Sequence, residues 1–170
     1  MRCIQCGREM EMVQGIYHYT ESGLDNVKLM NVPIHRCPLG HESEVEIPRA
    51  EELHLLIAFL LIFKSVGLTG KEARYLRKHL GLTAEELAEK IGVTRVTVAR
   101  WERKRDGIRT DHDKHLRRLY LEKKLQDPAK LPSVRGIIYL LVGSLPLDRK
   151  KRELKIRTED WVSDMDQVAV

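Results

Sequence analysis

Two groups of residues in this chain have the types and spacing to do chemistry. The first is built from cysteines. Cys3-Ile4-Gln5-Cys6-Gly7 sets two thiols two residues apart, with a glycine behind them to reverse the backbone. Such a knuckle aims both sulfurs at one point, where a second pair would complete a tetrahedral zinc site. The second half reads Cys37-Pro38-Leu39-Gly40-His41, with glycine where the paired cysteine would stand. His41, one residue on, is the substitute, so Cys3, Cys6, Cys37 and His41 are the candidate ligands. His35 and His18 are weaker candidates for the fourth place. A redox pair or a free thiol cluster is the competing reading, but redox cysteines normally open a helix in a βαβ setting, and none follows here. Four protein ligands close the site, so Zn2+ would be structural, and binding it would largely fold the segment around it.

The second group is rich in arginine. Thr94-Arg95-Val96-Thr97-Val98-Ala99-Arg100-Trp101-Glu102-Arg103 has a hydroxyl at its start and helical spacing throughout. With Val98 and Trp101 turned inward, that spacing leaves Arg95, Val96, Ala99, Arg100 and Arg103 facing outward. Arginine is the side chain best shaped to grip the two major-groove acceptors of guanine together, and Val96 suits a thymine methyl. The hydroxyls of Thr94 and Thr97 suit phosphate contacts. Lys104 and Arg105 extend the basic surface. The candidate DNA contacts are therefore Thr94, Arg95, Val96, Thr97, Arg100, Arg103 and Lys104. Merely solvated arginines would carry the same charge, so the preceding residues have to decide.

Those residues are specific. Thr83 with Glu86 three positions on forms a capping-box sequence opening a helix over residues 84 to 91. Gly92 follows where a left-handed backbone closes a helix, and Val93 plugs the turn. Leu87, Ala88 and Ile91 supply the apolar side that Val98 and Trp101 would meet, with Ala88 small enough for close approach. Around this pair the spacing predicts a helix over 71 to 79 and another over 112 to 125 capped by Asp111. A longer helix over 50 to 65 is apolar nearly all round, so it must be covered on more than one side, by the chain or by a second copy.

The wider chain divides into four parts. Residues 1 to 48 contain short strand-like pieces over 9 to 13, 16 to 20, 27 to 35 and 44 to 47, separated by turn signals at Gly15, Ser22-Gly23 and Gly40. Residues 49 to 66 form the bridging apolar helix, 67 to 127 the helical unit, and 128 to 170 an extension in which Gly136 to Val142 is apolar, Arg149 to Arg152 is basic and Leu154 to Val162 alternates like a strand. The fold class is α+β.

Charge follows the same division. The net charge is +5. Residues 1 to 48 carry 4 basic and 7 acidic side chains, whereas 67 to 127 carry 16 basic and 10 acidic. The anionic partner belongs to the middle of the chain. The longest apolar run, Leu55 to Phe63, is about half of the ~20 residues a membrane span needs. Cys3 and Cys6 stand where a signal peptide would have its basic and apolar regions, and unpaired cysteines suit a reducing compartment. The expected location is the cytoplasm. No paired carboxylates, nucleophile motif or phosphate-cradling glycine loop is present, so no enzyme is expected.

The stretch from Leu80-Gly81-Leu82-Thr83-Ala84-Glu85-Glu86-Leu87-Ala88 to Trp101-Glu102 resembles the Xre-type (lambda-repressor-like) helix-turn-helix domain of phage repressors and bacterial regulators. The resemblance implies base contacts from Arg95, Val96 and Arg100, an ion pair between Arg77 and Glu102, and dimerisation on a palindromic operator in double-stranded DNA. The helices over 50 to 65 and 112 to 125 are the available homodimer surfaces. Ala84 stands where the family often has a DNA-contacting side chain. The order of zinc-ribbon-like knuckle, bridging helix and this domain resembles the MqsA/YgiT-type antitoxin-like regulators over residues 1 to about 125. That likeness implies a repressor of its own operon whose zinc domain binds a small ribonuclease toxin. The chain departs from the family at His41 and after Pro128. The alternative is a protein similar to the multiprotein bridging factors, which join a zinc ribbon to an Xre domain without any toxin.

Overall fold

The computed structural model describes residues 1–103, 107–126 and 153–162. Three antiparallel pieces open the chain: β1 (Glu11–His18), β2 (Val27–Arg36) and the short β3 (Glu44–Val45). β2 is central, pairing with β1 along one edge and with β3 near its end along the other. Five helices follow: α1 (Ala50–Phe63), α2 (Gly70–His79), α3 (Ala84–Ile91), α4 (Arg95–Arg103) and α5 (Thr110–Leu125). A last strand, β4 (Leu154–Arg157), pairs in parallel with β2 from Val27↔Leu154 to Met30↔Arg157. The molecule is α+β, with mixed pairing in one small sheet.

The strand register explains how two apolar patterns fit one face. Val27 and Leu29 are buried, then Val32 and Ile34, so the alternation slips by one residue between them. The slip is taken up at Asn31, whose φ of 57° is left-handed, a conformation asparagine tolerates better than most residues. Opposite it the pairing jumps from Gly15↔Val32 to Tyr17↔Leu29, a bulge that keeps both halves of the apolar set on the core side. Gly15, expected as a turn, instead lies inside β1. A Cβ there would stand 2.6 Å from Ile34 Cδ1, so the glycine serves close packing between paired strands.

Sheet and helices share one apolar core. Val27, Leu29, Val32 and Ile34 from β2 and Ile156 from β4 join Leu53, Ile57, Leu61, Leu76, Leu116 and Tyr120 in one cluster. Nine residues of α1, Leu53 and Leu55 through Ile62, are buried by this chain itself. The all-round apolar helix is therefore covered without a second copy. Carbonyls at and just beyond its C-terminal end accept from Arg117 of α5, which donates from Nη1 to Ile62 O at 2.6 Å and Lys64 O at 2.9 Å, and from Nη2 to Val66 O at 2.8 Å. Asp113 holds that guanidinium from below at 2.7 Å.

Local signals set most helix starts. Thr69 and Glu72 form a complete capping box on α2, with Glu72 also paired to Lys64 in the interior. Thr83 and Glu86 form the expected box on α3. α5 differs from expectation: it begins at Thr110 after an extended Arg109, without a side-chain cap. Asp111 sits within its first turn, where a carboxylate favours the helix dipole instead of capping the chain end. No helix among the described residues is long and apolar enough to cross a membrane. The apolar piece over 136 to 142 and the basic run over 149 to 152 lie outside the described residues.

Candidate nucleic-acid interface and metal centre

The pair α3–α4 is locked by the side chains expected to lock it. Leu87, Ala88 and Ile91 on α3 and Val98 and Trp101 on α4 are all buried, Val98 to 1% exposure. Between the helices Gly92 adopts φ 72° and ψ 39°, and Val93 N reaches back to Ala88 O at 2.9 Å. Only a residue free to take the left-handed region closes α3 without strain. Thr94 Oγ1 accepts from Thr97 N at 3.2 Å and contacts Thr97 Oγ1 at 2.9 Å, which caps α4. The two hydroxyls thus serve each other first.

Locking that inner side presents the outer one to solvent. Arg95, Val96, Arg100 and Arg103 are exposed, with Val96 at 76%. An exposed valine between arginines has no folding role to explain it. Thr94 is exposed, Thr97 and Ala99 are half-buried, and Lys104 lies outside the described residues.

The orientation of α4 is fixed at its far end. Arg77 of α2 grips Glu102 through both guanidinium arms, Nε to Oε1 at 2.6 Å and Nη2 to Oε2 at 2.9 Å. Its third donor, Nη1, reaches Leu82 O at 2.7 Å. Both side chains are only about a tenth exposed, 11% and 12%, so the fork is a partly desolvated clamp rather than a surface pair. Glu102 consequently faces α2. On the other side the Trp101 ring meets His112 of α5 at a centroid distance of 4.7 Å. That contact could not be read from spacing, because it joins side chains on two different helices.

The cysteine group converges beside the Glu11↔Arg36 end of the β1–β2 pair. The ligand atoms of Cys3, Cys6, Cys37 and His41 lie within 4.8 Å of one another. Cys6 Sγ and Cys37 Sγ are 3.5 Å apart, and His41 Nδ1 is 3.5 Å from the sulfurs of both Cys3 and Cys37. Donors about 2.0 to 2.3 Å from a tetrahedral ion lie roughly 3.3 to 3.8 Å from each other, so this spacing suits a shared metal. Each half closes on a glycine amide, though over different spans: Gly7 N bonds Cys3 O, four residues back, at 2.8 Å, and Gly40 N bonds Cys37 O, three residues back, at 2.9 Å. Leu39 N points at Cys37 Sγ from 3.4 Å. The backbone N–H of Cys6 leads the interactions that hold the Cys3 thiol below its ordinary pKa, towards the thiolate a metal needs. Cys3 and Cys37 are buried with Met10 in a small cluster of their own.

The other histidines considered for the fourth place are engaged elsewhere. His35 Nε2 faces Glu46 at 3.4 Å, and His18 Nε2 faces Asp25 O at 2.9 Å. The fourth donor of the cluster is His41.

No curated protein and no solved structure gives a match to the chain. Residues 74–111, from within α2 through α3, the turn and α4 to the start of α5, match the helix-turn-helix family, and that match supports a DNA-binding transcriptional regulator.

Proposed function

We propose that this chain is a sequence-specific DNA-binding transcriptional regulator, an antitoxin-like repressor of its own operon that acts as a homodimer on a palindromic operator. The observation that carries the reading is the exposed Arg95, Val96 and Arg100 face of α4, held by Val98, Trp101 and the Arg77–Glu102 clamp. Such a face has shape and donors for major-groove bases. Two copies would be needed, because a single domain of this size contacts too few base pairs. With α1 consumed by the core, the outward side of α5 is the surface we assign to the second copy. The exposed arginines also favour base reading over the adaptor role of a bridging factor.

We assign Zn2+ to Cys3, Cys6, Cys37 and His41. Three thiolates and an imidazole are borderline-soft donors that suit zinc, and four protein ligands leave no position for substrate. The ion would cross-link the two knuckles, and we read no catalytic role into it. The acidic balance of residues 1 to 48 fits a basic protein partner there, in our reading a small ribonuclease-type toxin.

DNA binding is tested with the protein's own promoter. Arg95→Ala and Arg100→Ala should each lose ~1–3 kcal/mol of specific affinity, with the native helix content retained. Unchanged affinity for both variants would sink the reading. For the metal, a purified chain should hold one zinc, and chelation should loosen residues 1 to 10 and 37 to 41 in hydrogen exchange. Helices α1 to α5 should keep their protection, since their core does not include the cluster. A neighbouring small basic protein that fails to co-purify with the chain would leave the toxin reading without support.

A further inference from the structure

A cleft of about 540 Å3 opens where the turn at Thr20–Ser22 leans over α1 and α2, and no role described above uses it. Its rim carries Lys71, Arg74 and Lys78, which share one face of α2 by helical spacing. Its inner wall is made of rings, His54 of α1 with Tyr75 and His79 of α2. These rings belong to a continuous stack: Tyr19 on His54 at 5.8 Å, His54 against Tyr75 at 6.2 Å, and Tyr75 on His79 at 6.0 Å. A volume of this order suits a small molecule.

The charges in the cleft do not cancel. Of its two carboxylates, Glu102 is held by both arms of Arg77, whereas Glu21 accepts from the neutral Tyr17 hydroxyl and keeps its charge, which offsets one of the three rim cations. Lys71 pairs with Asp25 at 2.8 Å, and both side chains are largely in solvent. Arg74 reaches only the Glu102 oxygen that Arg77 already holds, and from 3.8 Å. Lys78 has no carboxylate partner among the described residues. Burial keeps both imidazoles neutral at ordinary pH, pushing His54 down and His79 to about 4. The result is a net cationic rim over an uncharged aromatic wall, in which the His54 and Tyr75 rings stand at 85° to each other.

We propose that this cleft binds a small planar organic anion, a flat ring bearing a carboxylate or phosphate, and that its occupancy is transmitted to α4 through Glu102. The ring would meet the edges of His54, Tyr75 and His79 while Arg74 and Lys78 take the anionic group. Glu102 both lines the cleft and forms half of the clamp that orients α4. An anion at the rim competes with Glu102 for Arg74 and repels its carboxylate, so it acts on the clamp directly. The binding claim stands without the DNA reading; the transmission rests on it.

The test is an NMR titration of the isotope-labelled full chain without DNA, using salicylate, adenosine 5′-monophosphate and inorganic phosphate. Saturable movement of the Ser22 and Gly23 amides and of the His54 and His79 ring signals is expected with at least one ringed anion. Inorganic phosphate should bind about tenfold more weakly, and the exposed Lys78→Gln change should weaken the ringed anion by about tenfold. Failure of both ringed anions to saturate, or indifference to Lys78→Gln and Arg74→Gln in folded protein, overturns the proposal. If those variants instead weaken promoter binding and flatten its salt dependence while no ringed anion binds, the cations serve DNA phosphates and the cleft claim falls. Arg100→Ala separates the two readings. Loss of DNA binding with anion binding intact leaves both standing, whereas promoter affinity that shifts less than about twofold on saturation removes the transmission.

Discussion

At the scale of single residues, the histidines in the ring stack give the molecule a defined response to acid. His79 Nδ1 meets the Tyr120 hydroxyl at 2.6 Å, and its ring lies between those of Tyr75 and Tyr120. Burial, then the charge of Lys124, then His54 hold its pKa near 4, against an ordinary value of 6.5. Between those values the unfolded chain binds the proton and the folded chain does not. Stability is therefore complete above about pH 6.5, falls as pH drops towards 4, and levels off below. His54 is shifted in the same direction by burial and adds to the loss. Because His79 is partly exposed, its share is on the order of 1–2 kcal/mol after screening. Urea unfolding at pH 7.5 and pH 5 should show the decline in the native chain. The His79→Phe chain should show a smaller one, and an equal decline in both would remove His79 as its source.

At the scale of elements, what could be read from the sequence was what neighbours in sequence decide. Thr83, Glu86 and Gly92 act within a few residues of themselves, so the bounds of α3 were legible, and Val98 and Trp101 followed from helical spacing. The residues of the cysteine–histidine cluster were legible for the same reason, since each half is a local turn. Thr69 and Glu72 carry a capping-box pattern equally open to reading, and it would have placed the start of α2 one residue earlier. Asp111 and Gly15 misled because their local signals were overridden: α5 starts where Arg109 is extended, and Gly15 answers to Ile34 across the sheet. Arg117 could not have been found this way. Its guanidinium closes the C-terminal end of α1 from more than fifty positions away. Arg117→Ala would leave three carbonyls without their donor and Asp113, only 7% exposed, without its counter-charge. The expected cost is about 3 kcal/mol. A denaturation midpoint within error of the native chain would show that water replaces the arginine freely.

At the scale of the whole molecule, division by composition and division by packing differ. The acidic first part and the basic middle part are distinct in sequence, yet β2 and α1 bury their apolar sides against one another. The tail joins them, because β4 lies on β2, Ile156 is fully buried, Thr158 Oγ1 donates to Asn31 O at 2.6 Å, and Trp161 Nε1 donates to Pro48 O at 2.8 Å. This parallel pairing joins residues more than a hundred positions apart, and strand-like alternation alone could not name its partner. It also covers part of an edge of β2 that would otherwise be open to other chains. We expect the sheet and the helices to unfold together as a consequence. Ile156→Ala, which lies in neither the helix-turn-helix nor the cysteine–histidine cluster, should cost about 3 kcal/mol. In a Trp101→Phe background the remaining described tryptophan, Trp161, reports on the sheet while far-ultraviolet circular dichroism reports on the helices. Both signals should shift to lower urea by the same amount when Ile156 is truncated. Helices that melt at their original midpoint while Trp161 is released early would mean that the core divides after all, and that the exposed face of α4 stands independently of the sheet.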